Sequence, residues 1–366
     1  MLNNKLNNLA LIVQPLLAWY DTHARILPWR GQPTPYHVWI SEIMLQQTRV
    51  EAVKPYFDRF IKALPDIAAL AQVPVEQLLK LWEGLGYYNR ARNLQKTACL
   101  VLEKHGGRLP ASYEALLELP GIGPYTAGAI ASIAYGIPMP AVDGNVLRVI
   151  ARITANHDDI GKESVKKSMA GSLRKILPEN RAGDFNQALM ELGATICLPR
   201  GTAKCDCCPV MQHCLACEQD IVMTLPVKAA KKPRRLEHKT IFVILAQGKA
   251  ALKQRPDTGL LAGLWELPNA EGSLPVNKAK EVLADWGISL TSIHRLPAAK
   301  HIFTHIEWHM TGYAIHAASC SDSIGLTWLS AQELAGKAAI PAAFKSYAEK
   351  IEALLCKNPA NLRKAF

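Results

Sequence analysis

The amino-acid sequence predicts an all-α domain over residues 1–225 and an α+β domain over residues 240–366, with a basic linker at 226–239 between them. Three observations carry that reading. A chain of 366 residues is long enough for two domains of ordinary size. Apolar residues recur at helical spacing through the first part and give way to strand-like runs in the second. Between them, "PVKAAKKPRRLEHK" carries six Lys/Arg against one Glu, nearly half of the net charge of +11.

The first helical run is "LALIVQPLLAW". It follows a single Lys5, is interrupted by Gln14 and Pro15, and has no small-residue cleavage pattern, so it reads as a helix of the fold and not as a signal peptide. "YHVWISEIMLQQTRVEAVKPYFDRF" and "PVEQLLKLWEGLGYYNRARNLQKTACLVLEKH" repeat apolar residues at helical spacing, and Pro65, Pro74, Gly106-Gly107, Pro138 and Pro178 break the pattern. In the second domain "KTIFVILAQGKAALKQRP" reads as two strands about a Gly-Lys turn, "HIFTHIEWHMTGYAIHA" as a strand and "PAAFKSYAEKIEALL" as a closing helix. No window reaches the roughly 18 unbroken apolar residues of a membrane span. The expectation is a cytoplasmic monomer, nucleoid-associated in a bacterium, with no membrane partner. A positive balance suits an acidic partner, and the linker suits either solvent or a nucleic-acid backbone.

Four stretches carry chemistry. In "ELPGIGPYTAGAIASIAYG", Gly121 and Gly123 form a tight hairpin, and Pro124 and Tyr125 start a helix. Such a hairpin is an ordinary turn or a clamp that aims N–H groups at a phosphate. In "VDGNVLRVIAR", Asp143 opens a helix, which makes it a cap, a carboxylate beside a reacting centre, or both. In "VWISEIMLQQTRV", Glu42 follows Trp39 by three residues and Val38 by four, so it borders an apolar stripe, where a carboxyl loses hydration and holds its proton to higher pH. "CLPRGTAKCDCCPVMQHCLAC" packs six of the nine cysteines into twenty-one residues. In a reducing compartment that favours metal over disulfides, and four thiolates hold either zinc or an iron–sulfur cluster.

Together these residues resemble the helix-hairpin-helix–Gly-Pro-Asp superfamily of base-excision glycosylases, and within it the A/G-specific adenine DNA glycosylases. The resemblance is most specific in residues 36–50, 82–94, 119–148 and 197–214. It implies a helix-hairpin-helix catalytic domain and double-stranded DNA as partner. It also implies removal of adenine mispaired with 8-oxoguanine or guanine, with Glu42 protonating the base and Asp143 stabilising the sugar cation or holding the water. Relatives that also cut the backbone carry a lysine where this chain has Tyr125, so simple hydrolysis is implied, with Tyr125 near the sugar. Gln47 and Tyr87 match the residues that wedge into the base stack, and Gly121, Gly123 and Asn145 fall at DNA-contacting positions. The family spacing implies a [4Fe–4S] cluster on Cys197, Cys205, Cys208 and Cys214, within a loop at 197–214 that presents Arg200 and Lys204 to phosphate. The gap from Cys197 to Cys205 is one residue longer than the family's, Cys207 is spare, and Cys217 is spare but able to replace a lost ligand.

After residue 240 the chain resembles the Nudix-like domain of the same glycosylases, without the Gly-x5-Glu-x7-Arg-Glu-x2-Glu-Glu helix that holds magnesium. Its 8-oxoguanine reading tip, Phe-Ser-His in the family, is Phe303-Thr304-His305 here. Where relatives have a lysine, this chain has Leu147. The alternatives are a glycosylase for thymine or uracil, and a non-catalytic iron–sulfur DNA-binding protein.

Overall fold

The computed structural model describes residues 9–199, 203–230, 233–320 and 325–355. Its contacts divide the chain into two compact units. The first holds Met1–Val73 and Arg92–Ala230, and the second Pro74–Ala91 and Lys231–Phe366. A stretch expected in the N-terminal domain therefore belongs with the C-terminal one.

The first unit is helical: α1 Val13–His23, α2 Pro35–Leu45, α3 Val50–Ala63 and α4 Ile67–Gln72 precede that stretch. The stretch itself contains α5 Val75–Leu81, and the unit boundary falls inside α6 Asn89–His105. Then come α7 Tyr113–Leu117, α8 Pro124–Ala129, α9 Gly144–Ile153, α10 Glu163–Arg174, α11 Ala182–Thr195 and the short α12 Leu215–Glu218. One core joins α1, α9, α10 and α11 through Leu16, Val149, Leu173, Phe185 and Leu189, and Cys197, Cys208 and Cys214 pack against it. Both long helical runs seen in the sequence are broken. The first breaks between Leu45 and Val50, the second between Leu81 and Asn89.

The second unit is built on a mixed sheet: β1 Arg235–Ala246, β2 Lys249–Gln254, β3 Trp265–Glu266, β4 Asn269–Glu271, β5 Leu290–Ile302, β6 Ile306–Ala317 and β7 Thr327–Ser330. Helix α13 Val276–Asp285 lies between β4 and β5, and α14 Ala331–Lys337 and α15 Lys345–Leu355 follow β7. Strand β1 pairs in parallel with β6 and lies inside the sheet, and its buried residues alternate between two cores. Ile241, Val243 and Leu245 meet Phe344 and Tyr347 on one face, while Phe242 and Ile244 meet Ala279 and Leu283 on the other.

Three expectations change. The linker ends early, because β1 already begins at Arg235. The turn after β1 is Gln247-Gly248, both at positive φ, so Lys249 is already in β2. The run "HIFTHIEWHMTGYAIHA" is a hairpin and not one strand: β5 ends at Ile302 and β6 begins at Ile306. Among the described residues no helix is long and apolar enough to cross a membrane.

Candidate active site and thiol cluster

Helix α2 places Glu42. Pro35 sits in its first turn and the Thr34 side chain accepts from the His37 N–H, which fixes where the helix starts. Every residue from Val38 to Met44 is buried, so Glu42 lies inside the packing, at 6% exposure, and not at the edge of an apolar stripe. Its Oε2 accepts a hydrogen bond from the Tyr125 hydroxyl, presented by the first turn of α8. Burial pushes the Glu42 carboxyl up to about 7. The Tyr125 bond opposes the rise, the nearby Asp143 charge adds to it, and the Arg30 guanidinium also opposes it. Burial and the two neighbouring carboxyls hold the Tyr125 phenol well above its ordinary range.

Asp143 caps α9. Its Oδ1 accepts from the Val146 N–H at 2.8 Å and its Oδ2 from Asn145 Nδ2 at 2.8 Å. Burial raises its pKa, and these bonds hold the rise back by favouring the carboxylate. From Asp143 a hydrogen-bonded chain runs along α9. Asn145 Oδ1 accepts from Arg148 Nη2 at 3.0 Å. Arg148 donates onward to the carbonyls of Cys197 at 2.8 Å and Gly193 at 2.7 Å. One turn later Arg152 donates to Cys197 Sγ at 3.2 Å and to the carbonyls of Leu198 and Leu225.

Cys197, Cys205, Cys208, Cys214 and Cys217 line a single cavity together with Arg152. Cys207 is exposed, with its Sγ 3.4 Å from the Lys204 carbonyl. Burial, reinforced by the neighbouring thiols, pushes Cys208 up to about 12 and Cys214 to about 11. Among the described residues no group of three His, Cys, Asp or Glu side chains is set as a metal site. The donor set nevertheless suits a soft, positively charged centre: several sulfurs share one apolar-walled cavity, and such a centre would favour the thiolate forms that burial disfavours. Lys204 is exposed, and Arg200 lies outside the described residues.

In the hairpin before α8, only Gly121 uses the left-handed region, at φ +77°; a Cβ there would meet Asn93 Cβ at 2.8 Å. Gly123 is extended and caps α8. Gln47 and Tyr87, each in its own unit, are among the few non-glycine residues at positive φ, at +59° and +47°. Tyr87 is 49% exposed. Backbone strain at an exposed aromatic points toward function. The tip of the β5–β6 hairpin is Phe303-Thr304-His305. Phe303 packs edge-on against Trp308, Thr304 and His305 are exposed, and the Tyr87 hydroxyl lies 3.3 Å from Thr304 Oγ1.

Sequence reasoning missed Arg25, Arg30, Glu191, Arg148 and Arg152. The arginine pair on α9 left a signal, an i,i+4 repeat inside an apolar run. Arg30 and Glu191 left none, because their partners lie about 160 residues away in the chain.

The model of the HhH-GPD superfamily base excision DNA repair protein matches residues 40–175, and that of the NUDIX domain matches residues 240–350. The adenine DNA glycosylase of Rattus norvegicus is 34% identical over 399 residues, covering 91% of this chain and 77% of its own length. That of Homo sapiens is 35% identical over 382 residues, covering 87% and 70%. The chain belongs to the adenine DNA glycosylase family. It is a DNA N-glycosylase of base excision repair. Part of this glycosylase aligns with a thermostable thymine-DNA glycosylase at TM-score 0.52 and 31% identity, over 59% of this chain and 98% of the other. An endonuclease III trapped on DNA aligns at TM-score 0.51 and 24% identity and shares the fold.

Proposed function

We propose that this glycosylase hydrolyses the N-glycosidic bond of adenine paired with 8-oxoguanine or guanine in duplex DNA and leaves the backbone uncut. The observation that carries the chemistry is the buried pair Glu42 and Tyr125 beside a second carboxyl, Asp143. A carboxyl held near 7 is half protonated at neutral pH, which is what a general acid needs. Glu42 gives its proton to N7 of adenine, and the electrons of the C1′–N9 bond leave with the base. The Asp143 carboxylate, oriented by Val146 and Asn145, stabilises the positive charge that develops on the sugar. Water adds to C1′ and gives its proton to the Glu42 carboxylate left by the first step, which restores the acid. The Tyr125 phenol has no amine with which to form an imine, so no β-elimination follows.

Removing the base requires drawing it out of the stack, and Gln47 and Tyr87 are the side chains assigned to fill the gap. Gly121, Gly123, Asn145, Arg200 and Lys204 are assigned to DNA contact, and Phe303, Thr304 and His305 to the 8-oxoguanine edge. A [4Fe–4S] cluster on Cys197, Cys205, Cys208 and Cys214 would supply a rigid cross-link of the loop that follows α11. Single-turnover assays on duplexes with A opposite 8-oxoguanine, A opposite G and T opposite G test the reading. Adenine release is expected to be fastest opposite 8-oxoguanine, with strand breaks only after alkali and little borohydride-trapped adduct. Faster removal of thymine, or strand cleavage without alkali, would replace it.

A further inference from the structure

Helix α11 turns one face toward Tyr125 and Arg30. Gln187, Met190 and Glu191 lie three and four residues apart on that face. Met190 Sδ is 3.7 Å from the Tyr125 hydroxyl that bonds Glu42. Gln187 Oε1 accepts from Arg30 Nε at 3.1 Å, and Glu191 Oε2 accepts from Arg30 Nη2 at 2.9 Å. The same Glu191 carboxylate accepts from Arg25 Nε at 2.5 Å and Arg25 Nη2 at 3.2 Å, and Arg30 Nη1 donates to the Arg25 carbonyl. The Glu191 side chain is 1% exposed. Two guanidinium groups thus converge on one buried carboxylate, and the glycosidic step described above uses none of the three.

We propose that Glu191 is a positioning residue for the proton donor: it clamps Arg30 in the pocket wall, so that the guanidinium neither folds onto Glu42 nor swings away from it. The inference rests on the reading of Glu42 as the general acid. An arginine stays charged across the working pH range. An arginine that pairs directly with a carboxylate lowers its pKa by about 1–3 units, enough to strip Glu42 of its proton at neutral pH. Glu191 offers Arg30 a competing carboxylate, already fully buried and fixed by Arg25. The groups acting on Glu42 are Tyr125 from α8, Asp143 ahead of α9 and Arg30 from the 3-10 turn Pro28–Arg30. Of these, Arg30 is the only cation, and it is the group that Glu191 holds.

The test is the pH dependence of single-turnover adenine excision by the full-length protein between about pH 5 and 9. Wild-type rates should fall as pH rises through the Glu42 titration, and Glu42→Gln should lose that limb. For Glu191→Gln the limb should move down by about one unit, so the loss at pH 8 exceeds the loss at pH 5.5 by about tenfold. Glu191→Asp, which keeps the charge, should recover most of the shift. Glu191→Gln combined with Arg30→Gln should bring the limb back to the wild-type position or above it. If Glu191→Gln does not fold, Arg30→Gln alone serves, and its limb must move up. A limb unmoved in Glu191→Gln, with an equal loss at every pH, reduces Glu191 to packing and overturns the inference while leaving Glu42 as the acid. A limb that survives in Glu42→Gln removes the acid assignment, and this inference with it.

Discussion

Glu42 shows at the scale of one residue how a site opposes stability. Its folded pKa of about 7 lies above the ordinary 4.5, so the folded protein holds that proton more tightly than the unfolded chain does. The resulting stabilisation is complete below pH 4.5 and is lost as pH rises through 7. At about 1.4 kcal/mol per unit, the buried charge costs on the order of 3 kcal/mol above pH 8. Glu42→Gln stays neutral at every pH and keeps an oxygen for the Tyr125 hydroxyl. We expect the variant to melt higher than wild type at pH 8.5, the gap closing toward pH 5, while excision falls by about 100- to 10,000-fold. Equal melting at all pH values would mean that the carboxyl is better solvated than its 6% exposure implies. Glu42 was legible through the resemblance of its whole run to the adenine glycosylases; its spacing from Trp39 and Val38 suggested a stripe edge, whereas every residue from Val38 to Met44 is buried. Its regulators were read only in part: Tyr125 was expected near the sugar and not on Glu42, and an arginine clamped from α11 leaves no local pattern.

At the scale of elements, periodicity showed the helices and hid their interruptions. Apolar residues resume at helical spacing after Gln46–Arg49 and persist through Trp82–Tyr88, yet both stretches leave the helix, and Gln47 and Tyr87 sit there at positive φ. The β5–β6 hairpin escaped notice for a similar reason: strand-like residues run on both sides of Phe303-Thr304-His305, and no glycine marks the turn. The cysteine loop was the most legible element, since its spacing survives any packing. The structure adds a distinction within it, because Cys217 faces the common cavity and Cys207 does not. We expect Cys207→Ala to retain iron and the brown chromophore in full. Cys197→Ala should lose both, and with them stability, since Arg152 then loses its sulfur partner. Iron loss in the Cys207 variant, or zinc in place of iron in anaerobically prepared protein, would contradict this ligand set.

At the scale of the whole molecule, sequence order and compact units disagree. Residues Pro74–Ala91 precede Asp143 and the cysteines in the chain, yet they belong to the unit of the mixed sheet. Lys80 Nζ donates to the carbonyls of Leu334 and Ala338, the Glu83 carboxylate accepts from the Ile340 N–H, and the Tyr87 hydroxyl meets Thr304. A chain ending at Leu225 would keep Glu42, Tyr125, Asp143 and the cysteine loop, but would strip α5 and the Tyr87 turn of every one of these partners. Adenine removal should therefore persist, because the reacting groups are all retained. Amide exchange in residues 75–88 should accelerate relative to the full chain, since these hydrogen-bond partners lie in the removed part. Preference for 8-oxoguanine over guanine should fall for two separable reasons, loss of the Phe303-Thr304-His305 tip and loosening of Tyr87. Tyr87→Phe separates them: it removes the hydroxyl that meets Thr304 and leaves the tip unchanged. If exchange at residues 75–88 is unchanged by truncation, the segment is held by the first unit instead. The fall in preference would then belong to the tip alone, and Tyr87→Phe would leave the preference unchanged.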